Sequence, residues 1–395
     1  MASNLNSSRI NIGRKDSQRK IKGQFFPSEH NEGSIIENDH HERHAHRKVI
    51  IDVDPGADDG MAILLMTSKL AKRERGINVI AITCVSGNTG IDNAVANTLK
   101  VLKTAGRLDI PVYKGANRPL LRNSTSDNFF GQDGFGDFYY EDAPKPKKYL
   151  QKEHAVLAMI RLVSQYPGEV TLLATGPLTN VALALKLYPN FIKDLKRLVV
   201  LGGSVNGVGN VKPALEFNFY FDPEAANIVL SAATKPICLV PWETVKDRTR
   251  ISMDWRQNIM GPIQSPRIQL LNKAERIYNK TDDQWINADS FAALLVLRRD
   301  SSTLAHTKTF CGGNPQYAEV VVDCDKIGGA VIVDYANNLK KKPNIEIIEA
   351  FHPKIYKETV LRYLAKAEEF EKLFFLLFLL ITFTLKMLST QWIHK

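Results

Sequence analysis

The chain alternates short apolar runs with longer segments whose apolar residues recur every three or four positions. The short runs predict strands at residues 49–53, 78–85, 112–114, 170–174, 197–201, 237–240 and 319–323. The longer segments predict helices at residues 61–72, 91–105, 154–164, 180–187, 223–231 and 290–298. Such alternation predicts βαβ units, and therefore an α/β fold: a single domain on a mostly parallel central sheet with helices on both faces.

Both ends of the chain depart from this pattern. Residues 1–47 are polar and predict a disordered tail, in which clustered histidines could bind a metal adventitiously. Residues 373–385 are thirteen uncharged residues, fewer than the roughly 20 that a spanning helix needs. We therefore expect a catalytic domain at 48–366 and an extension of uncertain role at 367–395, for which membrane contact is an alternative that is not favoured.

Composition narrows the class of protein. The chain is 44% hydrophobic and 24% charged, as globular proteins are. Its net charge of +10 is dispersed and accompanies no nucleic-acid-binding motif, so we expect no nucleic-acid partner. The four cysteines lack C-x-x-C spacing, and the N-terminus lacks an apolar signal segment, which together favour a cytoplasmic protein.

Four aspartates lie within eight residues at the end of the first predicted strand. They are Asp52, Asp54, Asp58 and Asp59, and the turn pair Pro55-Gly56 lies among them. Open α/β sheets bind ligands at the carboxyl ends of their strands. Because carboxylates this close repel one another, a hard divalent cation such as Ca²⁺ or Mg²⁺ would stabilise them. The alternative is a solvated acidic turn that caps the following helix.

Further polar residues follow other predicted strands. Asn88 and Thr175 each come shortly after a strand, and a backbone carbonyl such as that of Thr175 is a good calcium ligand. Asn210, Glu216 and Asn218 follow the pair Gly202-Gly203 and offer donors and acceptors suited to a sugar. The order of residues required for a nucleotide-phosphate loop is absent.

Asp289 lies far along the chain and precedes an apolar helix. Its carboxylate is either the N-cap of that helix or a further ligand of the metal. The residue types alone leave both interpretations open.

Taken together, the motifs resemble those of the inosine–uridine-preferring nucleoside hydrolase family. They occur in order at residues 52–59, 86–88, 174–180, 201–203, 216–218 and 222–226, and the resemblance extends over 48–366. It implies a Ca²⁺-dependent enzyme that hydrolyses the N-glycosidic bond of ribonucleosides to free base and ribose, with a role in nucleoside catabolism and purine salvage. A homo-oligomer is also expected.

The resemblance also implies roles for individual residues. Asp54 would bind the metal and act as the base that activates a metal-bound water, with inversion at C1′. The further Ca²⁺ ligands would be Asp59, the carbonyl of Thr175 and Asp289. The implied ribose-binding residues are Asp58, Asn88, Asn210, Glu216, Asn218 and Asp289. Asp52 would support the site without binding the metal.

One position departs from the family pattern. Many relatives carry His before the last metal-binding aspartate, to protonate the departing base, and purine-preferring relatives carry Trp; here the residue is Ala288. The candidates for stacking on the base are Phe129, Phe130, Phe135 and Trp285, although for each of them taken alone a place in the core is favoured.

Two rival functions follow from the sequence. A ribose-binding protein that has lost turnover at Ala288 would keep the metal site. A metal-dependent phosphohydrolase is less favoured: Asp52-x-Asp54 resembles the haloacid dehalogenase pattern, but Gly56 stands where that family has Thr or Val.

Overall fold

The computed structural model describes residues 46–123, 126, 128–277, 283–298, 310–312, 314–324 and 326–365. Within these ranges the strands are β1 (Arg47–Val53), β2 (Ile77–Cys84), β3 (Val112–Lys114), β4 (Thr171–Ala174), β5 (Arg197–Leu201), β6 (Ile237–Val240), β7 (Ile251–Ser252), β8 (Gln284–Trp285), β9 (Phe310–Gly312), β10 (Ala318–Val320), β11 (Val331–Val333) and β12 (Ile345–Phe351).

The helices of the same ranges are α1 (Ala57–Thr67), α2 (Lys69–Arg75), α3 (Ile91–Ala105), α4 (Pro146–Tyr149), α5 (Ala155–Gln165), α6 (Thr179–Leu187), α7 (Phe191–Asp194), α8 (Phe217–Phe221), α9 (Pro223–Ser231), α10 (Pro266–Ala274), α11 (Ala288–Leu297) and α12 (Pro353–Leu364). Two short π-helical segments, Thr244–Arg248 and Trp255–Met260, complete the described elements.

The central sheet has the strand order β3-β2-β1-β4-β5-β6-β12-β9. Its strands are parallel except for β9, which pairs antiparallel with β12 at one edge. The inner strands are apolar and buried on both faces, as expected where helices cover a parallel sheet. The predicted fold class is therefore confirmed.

The strand order places a binding crevice between β1 and β4. From β1 the chain builds the sheet towards β3 on one side, and from β4 it builds towards β6 on the other. In register, Asp52 lies opposite both Thr83 of β2 and Ala174 of β4. The residues that follow these three strands therefore meet at one point, where open α/β sheets bind their ligands.

Helices α1 and α11 pack against each other, and both are buried. Apart from the acidic first turns, their residues are almost all apolar, which is the pattern of a helix enclosed on every side. Both helices begin at the crevice, so the first turn of each directs its acids there.

Two sequence predictions differ from the structure. The helix predicted at 61–72 breaks at Ser68, because this residue is extended and its hydroxyl accepts a hydrogen bond from Ala71 N at 3.0 Å, which starts α2. The strand predicted at 319–323 begins at Ala318 and pairs antiparallel with β11, outside the central sheet. The chain turns back there, and Val321 N donates to the carbonyl of Ala330 at 3.0 Å.

Several predictions lie outside the described residues. They concern most of the 1–47 tail, including His40, His41 and His44, and the whole of the 367–395 extension. Among the residues that the structure describes, none of the helices has the length and apolar character needed to cross a membrane.

Candidate active site

Asp52 lies inside the sheet at the end of β1. Its Oδ1 accepts hydrogen bonds from the Thr83 hydroxyl at 2.6 Å and from Asn180 Nδ2 at 2.9 Å. Burial raises the pKa of this carboxyl to about 7. These hydrogen bonds join β1 to β2 and α6. Asp52 does not line the cavity described below.

Asp54 follows β1 and is fully buried. Its Oδ2 accepts a hydrogen bond from Asn88 N at 2.6 Å, whereas Oδ1 has no hydrogen-bond partner among the described residues. Two glycines enclose the carboxylate: a Cβ on Gly176 would lie 2.6 Å from Oδ1, and one on Gly87 would collide with Oδ2. The chain therefore holds Asp54 in one position and leaves one oxygen available to a ligand.

Asp58, Asp59 and Asp289 meet where α1 and α11 begin. One carboxylate oxygen from each can be chosen so that all three lie within 4.8 Å of one another. Asp59 is the most constrained, because it accepts hydrogen bonds from Thr175 Oγ1 at 2.7 Å and Gly56 N at 3.0 Å. With Asp54, these residues are called the acid cluster below.

The acid cluster is electrostatically unfavourable without a cation. Burial, followed by the charge of Asp59, raises the pKa of Asp54 well above its ordinary value and that of Asp58 to about 7. Burial and the charges of the other three acids raise the pKa of Asp289 as well. A divalent cation would reverse these effects by stabilising the ionised carboxylates, so the donor set fits a hard metal ion.

The polar residues that follow β4 and β5 and those at the start of α8 form a second connected group. Asn218 Nδ2 donates to the Thr175 carbonyl at 2.7 Å. Glu216 is the N-cap of α8, and its carboxylate also accepts from Gly203 N at 2.7 Å. Asn210 Oδ1 accepts from Phe217 N at 2.8 Å, which joins the glycine-rich loop to the start of α8.

A cavity of about 350 Å³ opens above these groups. The described residues that line it are Asp58, Asn88, Phe129, Phe130, Thr175, Leu201, Gly202, Asn210, Val211, Glu216, Phe217, Asn218, Trp242, Lys246, Ile286, Ala288 and Asp289. All six residues predicted to bind ribose line this cavity, as does Thr175. Asp54 and Asp59 lie buried beside it. The structure therefore brings the predicted site residues together, whereas their individual roles stay predictions.

Only two of the four aromatic residues proposed to stack on a base line the cavity. They are Phe129 and Phe130. Phe135 is fully buried, and its ring occupies the space beside Gly60. Trp285 packs against Trp255 and donates its indole N–H to Glu275 at 3.2 Å. Both of these residues belong to the core.

Five lining residues were not predicted from the sequence: Val211, Phe217, Trp242, Lys246 and Ile286. Phe217 was detectable, since it lies between the predicted residues Glu216 and Asn218. Trp242 and Lys246 lie on or beside the π-helical segment after β6, a structure that no periodicity signals. Phe129, Phe130, Phe217, Trp242 and Ile286 are called the apolar lining below.

Neither described histidine of the 48–366 region lines the cavity. His154 caps α5, where its Nδ1 accepts a hydrogen bond from Val156 N at 3.3 Å. His352 is the residue at which α12 begins. His306 lies outside the described residues. Ala288, which stands where many relatives have His, does line the cavity.

The fold and the site define an α/β protein with a carboxylate-rich cavity at the switch point of a parallel sheet. The sequence model of the inosine-uridine preferring nucleoside hydrolase family matches residues 49–358, and the chain belongs to this family.

Its similarity to curated relatives is substantial but partial. It is 45% identical to probable uridine nucleosidase 1 of Oryza sativa subsp. japonica over 187 residues, 47% of this chain and 55% of the relative. It is 38% identical to the inosine-uridine preferring nucleoside hydrolase of Leishmania major, over 47% of this chain and 57% of the relative. The chain thus matches somewhat more than half the length of these relatives.

Solved structures share the whole fold. An inosine-guanosine nucleoside hydrolase superposes with a TM-score of 0.70 and 28% identity, covering 81% of this chain and 99% of the other. A plant nucleoside hydrolase, PpNRh1, does so with a TM-score of 0.69 and 28% identity over the same shares.

Proposed function

We propose that this protein hydrolyses the N-glycosidic bond of ribonucleosides, yielding free base and ribose, and that it does so with bound Ca²⁺. One observation carries the proposal: the buried Oδ1 of Asp54 lacks a hydrogen-bond partner among the described residues, next to three crowded carboxylates at a cavity of nucleoside size. The family to which the chain belongs supports the reaction.

The donor set supports calcium as the cofactor. Asp54, Asp59, Asp289 and the carbonyl of Thr175 would hold it, and all four offer oxygen, which Ca²⁺ prefers. When bound, the ion would lower the pKa of water and polarise the ribose hydroxyls. Because the carboxylates of the acid cluster repel one another, a bound cation would stabilise their ionised forms.

The remaining polar lining suits the ribose. Asp58, Asn88, Asn210, Glu216, Asn218 and Asp289 provide acceptors and donors for its hydroxyls. As the C1′–N bond lengthens, positive charge develops on the sugar ring, and nearby carboxylates stabilise it. Asp54 would take a proton from the attacking water as general base. Attack by water, without a covalent nucleophile, would invert C1′.

Membership of the family favours this reaction over the phosphohydrolase alternative. A nucleoside-binding protein without turnover is kept as the second candidate, because Ala288 supplies no proton donor. Cytoplasmic location, homo-oligomeric assembly and the domain limits at 47 and 366 stay predictions.

The test is to incubate the full chain with inosine, adenosine, uridine and cytidine, with Ca²⁺ or with a calcium chelator, and to measure free ribose. Relatives named for uridine and for inosine make these two substrates the first choice. We expect ribose release that is lost with the chelator and restored by added Ca²⁺. Ribose release that survives complete removal of calcium would refute the metal mechanism.

Three further measurements separate the alternatives. Calorimetry measures the binding of calcium to the site independently of turnover. Calcium-dependent binding of a nucleoside with no release of base would favour the binding protein. Release of phosphate from a nucleotide would favour the phosphohydrolase.

A further inference from the structure

Lys246 is the only cation among the described residues that line the cavity. It is half-buried, on the π-helical segment after β6, and shares the cavity with Ala288 and the apolar lining. The other charged lining residues, Asp58, Glu216 and Asp289, are acids. Lys246 is therefore the only described lining side chain that is both positively charged and able to give up a proton.

The segment that carries Lys246 is fixed at several points. The Thr244 hydroxyl donates to the Ile348 carbonyl of β12, and Gln284 Nε2 donates to the Val245 carbonyl at 3.0 Å. Glu243 accepts hydrogen bonds from the Ser204 hydroxyl at 2.5 Å and from Asn206 N at 2.8 Å. The backbone before Lys246 is thus held by both the core and the glycine-rich loop, which limits where its side chain can reach.

No carboxylate within the described part of the chain forms an ion pair with Lys246, whereas Lys100 pairs with Asp133 at 3.2 Å and Lys341 pairs with Glu319 at 2.8 Å. A lysine that lines a cavity full of acids yet pairs with none of them is available to a ligand. Its ammonium offers three N–H donors and no acceptor.

Building on the function proposed above, we infer that Lys246 donates a proton to the departing base and so does the work that Ala288 cannot do. The C1′–N bond breaks and its electron pair stays on the base. One ammonium proton passes from Lys246 Nζ to an acceptor atom of the base. The water oxygen bonds to C1′ while its proton passes to Asp54. The products are neutral base and ribose, and solvent returns a proton to the lysine and removes one from Asp54.

The need for a proton from Lys246 should depend on the leaving group. A purine or pyrimidine leaves as a strongly basic anion unless it receives a proton, whereas nitrophenolate is a stable anion. Replacing Lys246 by Met keeps the length of the side chain and removes the proton. We therefore expect a selective defect on natural nucleosides.

The experiment compares Lys246→Met with the wild type on uridine, inosine and p-nitrophenyl β-D-ribofuranoside. We expect kcat/KM to fall on the order of 10²-fold for the nucleosides and to stay within about threefold for the nitrophenyl riboside. Retained activity on the nitrophenyl riboside also proves that the variant is folded. Arg250→Met is the matched control, since Arg250 is exposed on the same connection and does not line the cavity; both activities should be unchanged.

Two results would overturn the role of Lys246: equal losses on both kinds of substrate, or no loss on nucleosides. A wild-type protein that cleaves the nitrophenyl riboside but no nucleoside would also refute it, while leaving the hydrolytic site intact. A wild type that cleaves neither substrate would instead refute the proposed function.

Discussion

The acid cluster and the apolar lining border one cavity but are built differently. The acid cluster comes from a strand end and two helix N-termini, and Asp54, Asp59 and Asp289 are at most 2% exposed. The apolar lining comes mainly from loops and short helical turns, and Phe129 is 51% exposed. The groups proposed to hold a metal lie on rigid elements, whereas the groups proposed to contact a base lie on connections that can vary without disturbing the sheet.

The contrast extends to energetics. Gathering four carboxylates, of which Asp54, Asp59 and Asp289 are buried, destabilises the folded chain when no cation neutralises them, as their raised pKa values indicate. The residues of the apolar lining are uncharged, so they do not repel one another in this way. Substitutions in the acid cluster should therefore abolish the reaction, and those in the lining should change which base is accepted.

The largest expected effect is that of Asp54→Asn. Asparagine keeps the shape but cannot take a proton, so we expect kcat to fall on the order of 10³-fold or more for every nucleoside. Asp323→Asn, on an exposed residue away from the cavity, is the control and should retain wild-type turnover. Undiminished turnover of Asp54→Asn would disprove its assignment as the base.

A smaller effect is expected from Gly87→Ala, which tests whether Asp54 must be held in place. The added methyl group would collide with Asp54 Oδ2, so the carboxylate must move. A displacement of about 1 Å at a reacting group typically costs on the order of 10²-fold in rate. Calcium affinity, measured by calorimetry, should fall in parallel.

The matched control for this variant lies three residues away. A Cβ on Gly90 would meet nothing within 4 Å, so Gly90→Ala should leave rate and affinity unchanged. Equal behaviour of the two variants would mean that the glycine cradle around Asp54 has no function.

The sequence predicted the acid cluster, which lies on regular elements, better than the apolar lining, which lies on connections. Asp54, Asp58 and Asp59 lie on one continuous strand, loop and helix, so local patterns located them. Asn88 and Thr175 were predictable because parallel strands end at a common edge. Asp289 depended on the family resemblance, since the residue types alone favoured a helix cap over a metal ligand.

Trp242 and Lys246 were not predicted from the sequence, and the reason is the same for both. Trp242 and Lys246 reach the cavity through a π-helical segment held by tertiary hydrogen bonds from Thr244 and Gln284, and such contacts leave no periodic trace. Strand β12 of the central sheet was not predicted either, although its partner β6 was. Phe135 and Trp285 were candidates for stacking but lie in the core, because the position of an aromatic residue along the chain does not show whether its ring faces a ligand or the core.

The smallest expected effect concerns Glu216, which borders the cavity outside the acid cluster. Burial raises the pKa of its carboxyl from 4.5 to about 7. Because the folded-state pKa is the higher one, the group stabilises the fold below about pH 4.5, and this contribution is lost as the pH rises through about 7. Wild type should therefore lose about 1–3 kcal/mol of unfolding free energy from this group between pH 5 and pH 8.

Urea denaturation in excess Ca²⁺ measures the loss, since saturating calcium holds the acid cluster in the same state at both values. Glu216→Gln should show a flatter pH dependence, whereas Glu358→Gln, on the exposed face of α12, should match wild type. If Glu216→Gln kept the wild-type slope, the three backbone N–H groups around the carboxylate would have to outweigh its burial.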